Sequence, residues 1–218
     1  MKAISKNHSN RNYHNWLGYN LTDSFLEKYS KYIKGNLYDL GCGECAYKNF
    51  LLRYADRYTG IDWTKTLHNS QADIISDLNK KIDVEDNSAD SLISLSVIEH
   101  LNEPQQFVNE SYRILKKGGY FVLQVPWQWH IHEAPFDYFR FTPFGLKYLF
   151  EKAGFTQIEV EAQSGFFSAR ILKFNYFTVR KIYKLPKLFM YPLAALLLPF
   201  WTIGQICAPY LDKIDKDW

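Results

Sequence analysis

From residue 37 to residue 162, short apolar blocks alternate with amphipathic ones, and each block reads as a strand or a helix. Leu37 to Leu40 is an apolar run closed by a glycine turn, with a helix predicted through Phe50 and Leu51. Tyr58 to Ile61 makes a second strand ending at Asp62, and Ile74 and Ile75 a third ending near Asp77. Leu92 to Val97 makes a fourth, apolar enough to be buried on both faces. The next helix opens at Asn102 and Pro104, with Lys116 and Lys117 expected in its last turn and Gly118–Gly119 beyond its end. Tyr120 to Val125 follows as a fifth strand. Thr142–Pro143 opens a helix with Leu146, Leu149, Phe150 and Ala153 on one face and Gly154 as its stop. In Gln157 to Ala162, Ile158, Val160 and Ala162 share one face, the pattern of a half-exposed sheet edge.

Upstream of this run, residues 1–20 are polar and aromatic without period and read as an arm or lid. Thr22 caps a helix carrying Phe25, Leu26, Tyr29 and Ile33, which ends at Gly35. The alternation favours an α/β fold: a Rossmann-like, doubly wound, mostly parallel sheet with helices on both faces. Three parts are expected: an arm over 1–21, the α/β domain over 22–165, and a basic and apolar helical extension over 166–218.

Composition narrows the class. An apolar share of 47% with 22% charged residues gives a chain of 218 residues a real core. Three cysteines exclude a disulfide framework and suit a reducing compartment. Cys42 and Cys45 form a lone CxxC without a second pair at zinc spacing, so no metal is assigned to them. MKAISKNHSN lacks the apolar stretch of a secretory signal, and a cytoplasmic location is expected.

The net charge of +3 hides an asymmetry, because residues 162–211 hold six basic residues and no acid. Basic charge confined to one short run argues against nucleic acid and for a membrane surface or an acidic partner. The 24 residues from Leu188 to Leu211 carry no charge, and Arg180, Lys181, Lys184 and Lys187 precede them as a cytoplasmic flank would. Pro192, Pro199 and Pro209, with Gly204 and Gln205, should break a single straight helix. A bent helical hairpin in 185–211, dipping into the inner leaflet of the cytoplasmic membrane, is therefore expected. The competing reading packs it on the sheet or on a second copy in a homo-oligomer.

The sharpest chemical signal is Asp39-Leu40-Gly41-Cys42-Gly43-Glu44-Cys45-Ala46, between a predicted strand and a predicted helix. Glycines there let backbone N–H groups approach a ligand. Asp62 lies 19 residues after Gly43 at the end of the next strand, where a carboxylate can accept from a ribose diol. On this pattern alone, an NAD-dependent oxidoreductase and a ligand-free turn both stay open.

DLGCG, TGID, SDL at 76–78, SLSVIEHL at 94–101 and RILKKGGYFVLQVP at 113–126 resemble, in order, the motifs of class I S-adenosylmethionine-dependent methyltransferases. HEAPFDYFRFTPFGLKYLFEKAGF at 132–155 is similar to a segment of methyltransferases from bacterial polysaccharide and glycolipid gene clusters. The resemblance implies S-adenosyl-L-methionine as cofactor, with Gly41, Cys42 and Gly43 along its methionine part and Asp39 facing its ammonium. It further implies Asp62 on the ribose, Trp63 beside the adenine, Asp77 on the adenine amino group, Leu78 against the ring, and Ser96 where cofactor and acceptor meet. Cys45 stands where the family has a third glycine, and the family's seventh, antiparallel strand is not evident after residue 162. The Asn/Asp-Pro-Pro-aromatic motif of enzymes that methylate base amino groups does not follow the fourth strand.

His130 and His132 are two apart and point the same way in an extended segment. With Glu133 and Asp137 they offer metal ligands, but methyl transfer does not require a metal. The favoured role is general base, His132 ahead of His130, with His100 at the mouth of the fourth strand a weaker candidate. Tyr138 and Arg140 are expected to line the pocket of a small sugar or glycolipid acceptor, unless Arg140 merely pairs with Asp137. The expected activity is methyl transfer to an acceptor oxygen, against an NAD-dependent oxidoreductase or a non-catalytic scaffold.

Overall fold

The computed structural model describes residues 4–63 and 70–214. Its elements run α1 (Trp16–Tyr29), β1 (Asn36–Leu40), α2 (Lys48–Leu51), β2 (Arg57–Asp62), β3 (Ile74–Ile75), β4 (Ala89–Leu95), α3 (Pro104–Ile114), β5 (Leu115–Gln124), α4 (Pro143–Ala153), α5 (Phe166–Ile182) and α6 (Lys187–Leu211). Short 3-10 turns occupy Ile4–Asn7, Ser30–Tyr32 and Ile98–His100. The chain divides into two compact units, one of residues 28–161 and one of residues 1–27 with 162–218. The α/β unit is thus shorter at both ends than the 22–165 read from the sequence, and the N-terminal arm groups with the C-terminal extension.

Unit 28–161 is a five-stranded sheet in the order β3-β2-β1-β4-β5, every pair parallel. β1 and β4 sit in the middle, and their Leu37, Leu40, Leu92 and Ile93 are fully buried, as a strand covered on both faces requires. Ile82, Ile98, Phe107, Val108, Ile114, Leu146 and Phe150 complete the core. Thr142 caps α4 by accepting from the Gly145 N–H at 3.1 Å, and Gly154, left-handed at φ 103°, ends it. α3 starts at Pro104, as its sequence indicated.

The other end of α3 differs from expectation. It stops at Ile114, and Lys116 to Gly119 belong to β5. Leu115 is buried and pairs with Ala89, and the register shifts before Ser91 meets Tyr120. Gly118 at φ 79° allows that irregularity. Lys116 then pairs with Asp90 at 2.8 Å rather than capping a helix. β4 likewise ends two residues before Val97, because Ser96 turns left-handed at φ 56°.

Gln157 to Ala162 is not a strand. Ile158 does pack on the core while Val160 stays exposed, so the alternation reports a face but no ladder. A strand needs a hydrogen-bonded neighbour, and among the described residues none follows β5 in the sheet.

The second unit pairs α5 with α6. Trp201 Nε1 donates to Thr178 Oγ1 at 2.9 Å, and a Cβ on Gly204 would overlap Ile171, so Gly204 serves close approach. Asp212 at the far end of α6 accepts from the N–H groups of Gly165, Phe167 and Ser168, capping α5. Gln205, fully buried, accepts from Leu17 N–H at 3.0 Å and donates to Tyr13 O at 2.9 Å. The hairpin expected inside 185–211 is therefore formed by two helices, and α6 runs unbroken through Pro192, Pro199 and Pro209. Each proline removes one donor, but packing along α5 and the Gln205 tie hold the helix. Residues 215–218 lie outside the described residues.

Candidate cofactor and acceptor site

The carboxyl ends of β1, β2 and β4 meet at the glycine turn, where open parallel sheets place ligands. Gly41, at φ 83°, donates to Ile61 O at 2.8 Å, and a Cβ there would overlap Val97. Gly43, at φ 49°, has open space where its Cβ would be. Its N–H donates to Asp62 Oδ2 at 2.9 Å, and Trp63 N–H donates to Asp62 Oδ1 at 2.8 Å. A carboxylate has about four lone-pair directions, so Asp62 keeps two for a diol. The turn is thus open toward a ligand at Gly43 and closed by packing at Gly41.

Cys45 adopts φ 52°, the left-handed conformation that a glycine takes without strain. Its thiol meets Gln71 O at 3.4 Å. A Cβ on Gly60 would lie 2.8 Å from Cys42 Sγ and 3.3 Å from Cys45 Sγ, so both thiols fill the space above a glycine of β2. Both are free cysteines, and burial pushes the Cys42 thiol up.

Asp39 is buried beneath the turn and accepts from Tyr58 O–H at 2.6 Å. Burial, with the nearby Asp62 charge, raises its carboxyl to about 7 against the hydrogen bond from Tyr58. Asp77 takes the N–H and side-chain amide of Asn79, both at 3.0 Å, and pairs with Lys80 at 3.3 Å. These partners hold its carboxyl below the usual range although burial opposes them. The turn-capping role is present, and Leu78 beside it is in the core. Ser96 is exposed at the end of β4. Trp63 packs edge-on against Phe136, ring centroids 5.1 Å apart.

Phe136 leads to a second cluster. Its carbonyl lies 2.6 Å from His100 Nδ1, which fixes that nitrogen as the donor and leaves Nε2 as the acceptor. His100 Nε2 is 3.7 Å from Glu99 Oε1 and 3.9 Å from Glu133 Oε2. The His100 and His132 rings are edge-on at 4.7 Å. Glu99 is fully buried and its carboxyl is raised to about 8, chiefly by that burial. His132 is lowered, first by burial and then by His100, which favours its neutral form. Asp137 Oδ2 sits 3.3 Å from His132 Nδ1 and accepts from the His132 N–H at 2.8 Å.

His130 stands apart from this cluster: its ring lies against Trp129 at 4.8 Å and 6.3 Å from His132. Arg140 is also reassigned. Its donors go to Asp137 Oδ1 and Oδ2 and to the carbonyls of Trp129, His130 and Phe139, and Nη2 also lies 3.5 Å from His132 Nδ1. Guanidinium has five N–H donors, so none remains for a substrate anion. Asp137 is held well below the carboxylate range by Arg140. Tyr138 is half exposed and donates its N–H to Glu99 O at 2.9 Å. The sequence reading gave Glu99 no role of its own; a carboxylate beside His100, four residues after the end of β4, was the available signal.

Residues 38–123 match the family model of a methyltransferase domain. A "Probable S-adenosylmethionine-dependent methyltransferase" of Mycolicibacterium smegmatis is 32% identical over 94 residues, 40% of this chain. The match spans 37% of that relative's length. Among solved structures, a SAM-dependent methyltransferase from Archaeoglobus fulgidus aligns at TM-score 0.50 and 16% identity, over 72% of this chain and 86% of its own. The Haemonchus contortus phosphoethanolamine N-methyltransferase 2, in complex with phosphomonomethylethanolamine and S-adenosylhomocysteine, aligns at TM-score 0.55 and 16% identity, over 90% of this chain and 53% of its own. Both structural likenesses concern the fold. The matched stretch contains the glycine turn, Asp62 and Glu99, and over it the chain is similar to the methyltransferase domain of S-adenosylmethionine-dependent enzymes.

Proposed function

We propose that the protein transfers a methyl group from S-adenosylmethionine to an oxygen of a small acceptor, a sugar or glycolipid intermediate. The observation that carries the cofactor half is the Gly43–Asp62 bracket: a turn N–H held by a carboxylate at the carboxyl ends of adjacent strands, beside open space. In this reading Asp39 meets the cofactor ammonium and Asp62 the ribose. Trp63 and Leu78 flank the adenine, Asp77 accepts from its amino group, and Cys42 and Ser96 border the methionine part. Methyl transfer is an in-line displacement, so alignment supplies most of the rate. The acceptor proton leaves through the cluster around His132, and the exposed face of Tyr138 stacks on the acceptor.

The basic flank and α6 favour an acceptor at the cytoplasmic face of a membrane. A radiolabelled methyl assay on lipid and polysaccharide extracts tests the whole reading. Label in a lipid-linked sugar is expected, and label confined to protein or nucleic acid would overturn the acceptor class. Calorimetry with S-adenosylhomocysteine and with NAD tests the cofactor separately. Binding of NAD alone would overturn it.

A further inference from the structure

We propose that Glu99, His100 and His132 together hold one divalent transition-metal cation. One ligand atom from each lies within 4.8 Å of the others, and Glu99 Oε1 and His100 Nε2 are already 3.7 Å apart. A tetrahedral zinc site with bonds near 2.0–2.2 Å separates its ligand atoms by about 3.4 Å, so a small side-chain adjustment closes the set.

Two further observations point to an ion rather than to a packed loop. Glu99 is fully buried, yet neither carboxylate oxygen finds a hydrogen-bond partner on another of the described residues. A buried carboxylate without partners is costly unless it holds a proton or a cation neutralises it. His100 is also oriented from behind, as metal-binding histidines are. Phe136 O takes His100 Nδ1–H at 2.6 Å, which directs Nε2 to the cluster. At His132, Nδ1 meets both Asp137 Oδ2 at 3.3 Å and Arg140 Nη2 at 3.5 Å, so the loop holds the ring in place.

Two imidazoles and one carboxylate suit Zn²⁺, Co²⁺ or Fe²⁺ better than Mg²⁺ or Ca²⁺, which favour oxygen-only shells. Three protein ligands leave one position open. If the methyl-transfer reading holds, that position takes the acceptor hydroxyl, which the ion makes acidic enough to lose its proton to solvent near neutral pH. Its oxygen then bonds to the methyl carbon while the carbon–sulfur bond breaks and its electron pair goes to sulfur. With the ion bound, His132 acts as a ligand and the proton goes to solvent, in place of the route through His132 that serves a metal-free site.

The full chain, stripped of metal by a chelator, should be titrated with Zn²⁺ against a chromophoric competitor and with Co²⁺ followed by visible absorption. One ion per chain and a four-coordinate Co²⁺ spectrum are expected. Glu99→Gln and His132→Gln should each weaken Zn²⁺ binding at least tenfold, with S-adenosylhomocysteine calorimetry reporting that the variants remain folded. Should Glu99→Gln fail to fold, His100→Gln provides the same comparison from the cluster's partly exposed side. Equal Zn²⁺ affinity in wild type and variants would overturn the site, as would zinc lost only in Cys45→Ser, which would place it on the thiols. Zinc bound without S-adenosylhomocysteine would retain the ion and reject the methyl-transfer reading; the reverse result would do the opposite.

Discussion

The backbone N–H of Gly43 donates to the Asp62 carboxylate at 2.9 Å, tying the turn after β1 to the last residue of β2. Asp62→Ala removes that acceptor and the partner of Trp63 N–H together. Affinity for S-adenosylhomocysteine should fall at least tenfold, about 1.4 kcal/mol, and the melting temperature should fall as well. Gly43→Val should weaken affinity similarly by filling the open space beside the backbone, with added strain from its left-handed φ. Calorimetry on both variants decides; wild-type affinity in both would remove the bracket from the cofactor site.

Asp39 makes the cofactor-free chain sensitive to pH. Its carboxyl is raised from 3.8 to about 7 in the folded state, so the folded chain binds more protons than the unfolded chain between those values. The stability this contributes is complete below about pH 4 and is lost as pH rises through about 7. Asp39→Asn should flatten the melting temperature over that window. A cofactor ammonium favours the ionised carboxylate, so affinity should rise with pH up to about 7 in wild type and stay level in the variant. A level wild-type profile would separate Asp39 from the ammonium.

Arg140 is expected to be a scaffold residue for the His132 loop. Asp137 is almost wholly buried and Arg140 partly so, and the pair also organises the carbonyls of Trp129 and His130. Arg140→Ala leaves a buried carboxylate unpaired and should cost about 3 kcal/mol in urea unfolding. Because Arg140 holds the Asp137 carboxyl low, this stability is present above the ordinary aspartate range and fades as pH falls through the folded value. Arg140→Lys cannot reproduce the fork and should recover only part of it. A loss confined to substrate affinity would return Arg140 to the acceptor pocket.

The five strands of the sheet were readable because their runs are apolar and bounded by Gly, Asp or Pro, which local chemistry makes explicit. The end of α3 was not. Lys116-Lys117-Gly118-Gly119 is a good helix stop by propensity, but Leu115 is drawn into the sheet by pairing with Ala89. Gln157 to Ala162 failed for a related reason, since alternation cannot say whether a neighbouring strand exists. In the site, Asp39, Gly43 and Asp62 were legible from spacing along a strand–turn–helix. The approach of His100 to His132 was not, because the two are joined only through the path of the 126–141 loop. Gln205 was misread as a breaker, as its partners Tyr13 and Leu17 are remote in sequence.

The last prediction concerns the outward face of α6. Leu188, Phe189, Tyr191, Leu196, Phe200 and Ile203 are all at least 60% exposed, while Trp201, Gln205 and Ala208 are buried. The helix has 25 residues and is long and apolar enough to cross a membrane by length and composition. An apolar face of this extent needs a covering surface, and the four cations before it favour anionic lipid. Ending the chain near Lys184 would also remove Trp201, Gln205 and Asp212, which hold α5 and residues 13–17, so point substitutions are the cleaner test. Phe200→Glu with Ile203→Glu leaves those contacts in place and should preserve the melting temperature. The full chain is expected to sediment with anionic phospholipid vesicles, and the double variant to bind them at least tenfold more weakly. Wild type that remains in the supernatant and elutes as a dimer, with the double variant a monomer, would assign the face to a second copy of the chain.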